Sequence, residues 1–482
     1  MSKDLKKVSV SGMLYRFGER ILAQAVSTLV TIILARILLP EDYGVVSLLT
    51  IFISLCNVLI SDGLSTALIQ KKDADELDFS TICWASLVLS VFLYAFIFCI
   101  APYIAAFYKN DLLCPTLRVM GIKVVFAAFN SVQSTYVSKN FLFKKFFYAT
   151  LIGTITSGVV GIIFALRGAG SWALVAQYLT NSFMDMLFLF LTIDWKPKLI
   201  FSWSRFKSLF SFGWKILASG LLNELYENFR SLIIAKQYST ADLSFYTKGK
   251  QFPQMIGNNV TSTITNVMFP VFSTQQDNKE RLKAMVRRST KIACYVLCPM
   301  MIGFASISET FVRLVLTDKW LPAVPFMQIF CIMFIFKPLR NINRQVIKAT
   351  KRGGLDMGII IAEKTIGITL IICFLKKGTL ALAITAMLTY VIGMLLYSIF
   401  GARIIDYSFS EALIDTVPYF LFAGVCCLPS FFMNSLTNWN MIGLMILQII
   451  SAALIYLILS IVLKIDSFFY LKDLVMDFIK KK

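Results

Sequence analysis

Lys337, Arg340, Asn341, Arg344 and Lys348 fall at i, i+3, i+4, i+7 and i+11, a continuous polar stripe on one face of an otherwise apolar helix. Arg16, Arg20 and Gln24 repeat the device near the start of the chain at i, i+4 and i+8. Such stripes are suited to holding an anion. The Arg fork donates paired, charge-assisted hydrogen bonds to phosphate or carboxylate, and Lys adds a point charge. In all, thirteen cations lie inside apolar stretches: Arg16, Arg20, Arg118, Lys123, Lys215, Arg230, Lys248, Lys250, Arg313, Lys337, Arg340, Arg344 and Lys364. A cation at mid-bilayer costs about 2.5–3.5 kcal/mol on insertion scales. The set must therefore line a watery cavity or be paired, and few acids lie near it in the sequence. The missing anion is then the cargo.

The expected anion-binding set is Arg16, Arg20, Lys123, Lys215, Arg230, Lys337, Arg340 and Arg344. Arg16 is also placed to snorkel to the inner interface or to pair with Glu19, whereas Arg20 is a turn deeper. Pro338 sits in the second stripe and is expected to kink it. Asp62, Glu224 and Glu227 are the acids suited to proton or sodium coupling. Glu227 and Arg230, at i, i+3, are equally spaced for a simple ion pair.

Composition says what must position these groups. The chain has 482 residues, 57% hydrophobic and 15% charged, with a mean hydropathy of +0.74. That is an all-α polytopic membrane protein. The net charge of +20 would suggest nucleic acid in a soluble protein. Here no aqueous segment is long enough for a nucleic-acid-binding domain. The first apolar stretch is too long for a cleavable signal peptide and no small-residue cleavage site follows it. The chain has no His, which removes His-based triads, HExxH zinc sites and imidazole proton shuttles. The ten Cys are scattered without a CxxC pair, and no GxxxxGK[ST] loop occurs. Neither a metal site nor a cofactor is expected.

A crossing helix needs about 20 apolar residues. Fourteen spans are expected, near 11–38, 43–69, 80–108, 114–138, 147–166, 171–193, 209–235, 244–272, 291–316, 322–347, 355–375, 379–402, 411–434 and 440–463. Lysines and arginines between them alternate in density. Lys71 and Lys72, Lys139 to Lys145, Lys196 to Lys207, Lys279 to Lys291 and Lys348 to Arg352 fall on one side. The other side has isolated residues such as Arg36, Lys109, Arg167 and Lys236. The dense side is cytoplasmic by the positive-inside rule, so both termini are expected there. The tail, 466–482, alternates Phe468, Leu471, Leu474 and Phe478 with charges and reads as an amphipathic helix on the inner leaflet. The acidic run Asp73 to Asp78 reads as a solvated linker.

LARILLPEDYG at 34–44 and IAKQYSTADLS at 234–244 match at an offset of 200, with Ala35 on Ala235, Arg36 on Lys236 and Asp42 on Asp242. Two copies of a six-helix unit are implied, at 1–200 and 201–403. Extra helices follow at 404–465, then the basic tail at 466–482. Six is even, so the copies share one orientation. They are expected to be related by a pseudo-two-fold axis along the membrane normal, with the substrate cavity between them.

LARILLPEDYG after a basic first helix, SFYTKGKQFPQ at 244–254 and FPVFSTQQD from Phe269 to Asp277 together resemble the Wzx-type polysaccharide flippases. That superfamily includes the multidrug and toxin extrusion transporters and the lipid II flippase. The resemblance covers nearly the whole chain. It implies an alternating-access transporter in the bacterial cytoplasmic (inner) membrane. The cargo would be an undecaprenyl-diphosphate-type lipid-linked oligosaccharide for capsule, exopolysaccharide or O-antigen. Membrane lipids, and a polysaccharide polymerase and ligase, would be the partners. The family's cationic cavity corresponds to Arg16, Arg20, Lys215 and Arg230 by helix only. Spans 13 and 14 resemble the lipid II flippase helices that form a groove for the lipid tail.

Two other classes compete with this reading. A multidrug or toxin antiporter carries cationic cargo and needs an acidic cavity, which thirteen intramembrane cations oppose. A non-transport scaffold or a glycosyl-transfer enzyme in polysaccharide assembly is the other; such an enzyme needs clustered loop acids.

Overall fold

A computed structural model of the protein describes residues 22–274, 278–350, 352–433 and 440–480; the side chains of 263–271, 273–274, 474–475 and 477–480 are outside the description. Among the described residues the chain is helical and has no strand. It forms two compact units, 1–244 and 245–482.

The first unit holds α1 (Leu22–Ile37), α2 (Pro40–Gln70), α3 (Glu76–Tyr108), α4 (Leu113–Met120), α5 (Ile122–Lys139), α6 (Phe143–Leu166), α7 (Ser171–Thr192), α8 (Trp203–Gln237) and the first turn of α9 (Thr240–Thr274). The fourth expected span is broken at Gly121, where a Cβ would lie 2.9 Å from the Tyr94 ring. The helix that opens the second sequence repeat, α8, packs here with α2 and α3 of the first unit. Leu68, Phe79, Ile82, Val132, Leu189 and Trp195 belong to one buried cluster of this unit.

The second unit holds the rest of α9, then α10 (Lys279–Phe311), α11 (Val324–Ile335), α12 (Lys337–Ala349), α13 (Gly353–Phe374), α14 (Thr379–Ile405), α15 (Phe409–Phe432), α16 (Met441–Val462) and α17 (Asp466–Lys480). The tenth expected span is broken at Phe336, so Pro338 lies in the first turn of α12, where its missing N–H costs nothing. The basic run Lys279 to Lys291 is helical, not loop: Asn278 caps α10 by accepting from the Arg281 N–H at 3.0 Å. Likewise Lys248, Lys250 and Gln251 lie within α9.

Eleven stretches among the described residues are long and apolar enough to cross a membrane, and the protein is an all-α polytopic membrane protein. At the other three expected positions stand α1, shorter within the described residues, and the more polar α8 and α9.

The repeated Asp42 and Asp242 have one local task. The Leu39 N–H donates to Asp42 Oδ2 at 3.1 Å, and Ser239 Oγ donates to Asp242 Oδ2 at 2.6 Å. Each aspartate thus lies three residues after the cap position of the helix that follows, which ties off free N–H groups and opposes the helix dipole. Lipid supplies no hydrophobic drive between helices, so close approach matters. A Cβ on Gly63 would lie 2.7 Å from the Gly213 carbonyl oxygen, and one on Gly213 2.6 Å from that of Gly63. The α2 and α8 backbones touch there.

Candidate functional site

The stripe on α12 meets a second stripe on α13. The Arg344 guanidinium grips the Asp356 carboxylate with Nε at 2.9 Å and Nη2 at 3.3 Å, and the Tyr397 hydroxyl donates to Asp356 Oδ1 at 2.7 Å. Deeper along the helices, Arg340 Nη2 donates to both Glu363 oxygens, at 2.9 and 2.8 Å. The Tyr390 ring covers the Arg340 guanidinium at 4.6 Å. Gly393 makes room for the acid: a Cβ there would lie 2.6 Å from the Glu363 carboxyl carbon. Arg340 Nε is buried with no hydrogen-bond partner. The expectation that Arg340 and Arg344 lack protein anions therefore fails. Two helices joined by a tight turn run antiparallel, so basic residues four apart on one meet acids seven apart on the other.

Charge does not balance in this part of the second unit. Lys337, beside Arg340, donates to Asn258 Oδ1 and stands 5.2 Å from the centre of the Phe334 ring. It is repelled by both Arg340 and Lys250. Among the described residues Lys337 and Lys250 form no ion pair. Glu363 thus offsets one of three neighbouring cations, and an anion brought to Lys337 and Arg340 would meet net positive charge in a low dielectric.

In the first unit the acids come together. Asp62 on α2 faces α8, where a Cβ on Gly220 would lie 3.0 Å from its Oδ2, and it feels the charge of Glu224. Asn228 Nδ2 donates to Glu224 Oε1 at 2.9 Å. Glu227 is exposed, and no Glu227–Arg230 pair forms. Arg230 Nε and Nη2 are buried without hydrogen-bond partners. Lys215 is exposed. Lys123 lies 4.9 Å over the Tyr178 ring and is attracted by Asp185. Arg16 and Arg20 lie outside the described residues. Other intramembrane cations have plain structural partners. Arg313 pairs with Glu309 and Asp318, each at 2.9 Å; Arg118 covers Phe98 at 4.2 Å; Lys248 donates to Gln251 at 3.1 Å.

In the acidic run Asp73 to Asp78, Asp73, Asp75 and Glu76 are exposed as a solvated linker requires, but Asp78 is not. Asp78 is fully buried, pairs with Lys71 at 2.6 Å and meets Arg205 at 3.4 Å. Asp75 caps α3 by accepting from the Asp78 N–H at 2.9 Å, and Glu76 pairs with Lys198 at 2.7 Å. The bond from the Asp78 backbone, with Arg205 and Lys71 nearby, holds the Asp75 carboxyl below the usual aspartate range. The D-x-x-D spacing was the available signal, a capping pattern read as mere charge.

The extra helices help line an open apolar pocket of about 460 Å³ within the second unit, bounded by Pro299 and Phe304 of α10, Cys427 and Ser430 of α15, and Gln448 and Tyr456 of α16. Gln448 Nε2 donates to the Ser430 carbonyl at 2.8 Å, and the Tyr456 hydroxyl to the Tyr295 carbonyl at 2.7 Å, which fixes α15, α16 and α10 together.

Comparison with known proteins places this geometry. The family model described as "polysaccharide biosynthesis protein" matches residues 33–325. The teichuronic acid biosynthesis protein TuaB of Bacillus subtilis is 26% identical over 311 residues, covering 63% of this chain and 64% of TuaB. The succinoglycan biosynthesis transport protein ExoT of Rhizobium meliloti is 23% identical over 293 residues, covering 61% of this chain and 59% of ExoT. The match thus spans less than two thirds of either relative. The fold is that of the lipid II flippase MurJ in an inward closed conformation. The TM-score is 0.71 at 17% identity, over 97% of this chain and all of that one.

Proposed function

Because the chain belongs to this Wzx-type polysaccharide biosynthesis family, we propose that it is a flippase, a transporter and not an enzyme, for polyprenyl-diphosphate-linked oligosaccharides. It works by alternating access in the bacterial cytoplasmic membrane, with fourteen crossings, two six-helix lobes related by a pseudo-two-fold axis and both termini cytoplasmic. The observation that carries the reading is the net positive charge of Lys337, Arg340 and Lys250, of which Glu363 offsets only one. A diphosphate supplies the missing negative charge.

On this reading the cargo competes with Glu363 for Arg340. The diphosphate takes the guanidinium and Lys337, and Glu363 is displaced. Release reverses the exchange, so the site binds and lets go without a permanent counter-anion. Arg16, Arg20, Lys123, Lys215, Arg230 and Arg344 complete the anion-binding set. Asp62, Glu224 and Glu227 couple the cycle to a cation gradient. The cavity beside α15 and α16 takes part of the prenyl tail. A polysaccharide polymerase and ligase act next on the delivered unit.

The test is mass spectrometry of membrane lipids from cells lacking the protein. The expected result is accumulation of a complete polyprenyl-diphosphate oligosaccharide, cleared by the wild type and not by Arg340→Gln. An incomplete sugar unit overturns the reading in favour of an assembly role. No accumulation together with sensitivity to cationic drugs overturns it in favour of an antiporter.

A further inference from the structure

Between α7 and α8 the chain runs without helix from 193 to 202, strapped across the start of α3. The Lys198 N–H donates to Ser80 Oγ at 3.2 Å, the Ser202 N–H to Thr81 Oγ1 at 3.2 Å, and the Trp84 indole N–H to the Lys198 carbonyl at 2.7 Å. These three bonds fix the strap against α3. The end of the strap, from Leu199 on, is apolar and outward: Leu199 is 89% exposed, and Trp203, at the start of α8, is 68% exposed. With Trp84, Val88, Phe92 and Phe201 they line a groove of about 670 Å³. The α3 wall of this groove belongs to a helix long and apolar enough to cross a membrane, so the groove opens along a membrane helix.

Charge brackets the apolar run. Lys198 and Arg205 are already paired with Glu76, Asp75 and Asp78. Lys196 and Lys207 form no ion pair among the described residues. Lys196 stands 4.2 Å over Phe190 just before the strap. Lys207 lies one turn after Trp203, on the same face of α8. Two exposed cations without an acid partner among the described residues, flanking the apolar run along the chain where a span meets its basic loop, complement an amphiphile with a negative head.

We propose that this groove is a binding site for an anionic glycerophospholipid of the bilayer. One acyl chain lies along Trp84, Val88, Phe92 and Trp203, and the headgroup phosphate lies toward Lys196 and Lys207. The site is remote in sequence from the α12 cations and needs no cargo.

The test uses the full chain in nanodiscs of phosphatidylcholine and reads tryptophan quenching by lipids with brominated acyl chains. The groove signal is the difference between wild type and Trp203→Phe. Brominated phosphatidylglycerol is expected to quench that component at about tenfold lower mole fraction than brominated phosphatidylcholine. Lys196→Gln/Lys207→Gln is expected to bring the two lipids level, and Lys196→Arg/Lys207→Arg to restore the difference. The thermal transition in phosphatidylcholine, unchanged in the Gln variant, shows that it is folded. Equal quenching by the two lipids in wild type overturns the proposal, as does a preference that survives the double Gln variant.

Discussion

Arg344 holds Asp356 at 2.9 Å across the turn between α12 and α13, and Arg340 holds Glu363 in the same way further from that turn. The inner pair is the more buried: Arg340 and Glu363 side chains keep 20% and 10% of their exposure. It is also the one flanked by the uncompensated Lys337. The outer pair anchors the hairpin, with Tyr397 fixing its acid. The inner pair is the one whose acid has competition.

Removing one partner of the inner pair leaves a buried charge. Arg340→Gln and Glu363→Gln are each expected to destabilise by about 3–5 kcal/mol. The double variant should cost clearly less than the sum, since neither charge is then stranded. Thermal unfolding of the purified variants in one detergent checks this, and strict additivity would show the pair to be uncoupled.

Gly393→Ala pushes a methyl into the Glu363 carboxylate. It is expected to loosen the Arg340 pair and to destabilise by about 1–3 kcal/mol. Glu363→Asp in the same chain, one methylene shorter, should recover part of the loss. Thermal shifts of the two variants measure it.

At the α2–α8 seam, Gly63→Ala and Gly213→Ala each force a methyl against backbone and should cost about 1–3 kcal/mol. Gly424, inside α15, has open space around a Cβ. Gly424→Ala should instead be neutral or stabilising by about 0.5–1 kcal/mol. Parallel unfolding curves of the three variants distinguish a packing seam from a general intolerance of alanine.

Asp62 and Glu224 are like charges across that seam. Asp62→Asn is expected to stabilise the fold by about 0.5 kcal/mol and, on the proposed coupling role, to impair transport. Melting temperature and lipid-linked oligosaccharide clearance, read on one preparation of cells, check both halves.

Asp75 has a depressed carboxyl pKa. Such a group contributes stability above about pH 4 and loses it as the pH falls through the folded value. The cost of Asp75→Ala should be about 1 kcal/mol at neutral pH, and it should shrink as the medium is made more acid than the folded pKa. Amide exchange in the first turn of α3, followed against pH, reads this directly.

Hydropathy located the helices well, because a membrane demands long apolar runs wherever the chain crosses. It was blind to the breaks at Gly121 and Phe336, since these follow from tertiary contact and cap geometry and leave hydropathy unchanged. The cations of α12 were legible as a stripe. Their acids were not, because Asp356 and Glu363 lie across a turn and become neighbours only once the hairpin closes. The same blindness turned Asp78, a buried ion-pair centre, into a piece of linker. Glu227 and Arg230 show the converse: correct spacing on one helix did not produce a pair.

Asp78 also has a history in time. Lys71 reaches it from seven residues upstream, as soon as the α2–α3 hairpin forms. Arg205 arrives 127 residues later, at the start of α8. During synthesis Asp78 therefore has Lys71 beside it, and then the attraction of Lys139 at the end of α5, before its second ion-pair partner arrives after four further helices and the strap. The stitch that ties α8 to the start of α3 is thus among the last made in the first unit, and it closes a site whose other half was set 127 residues earlier.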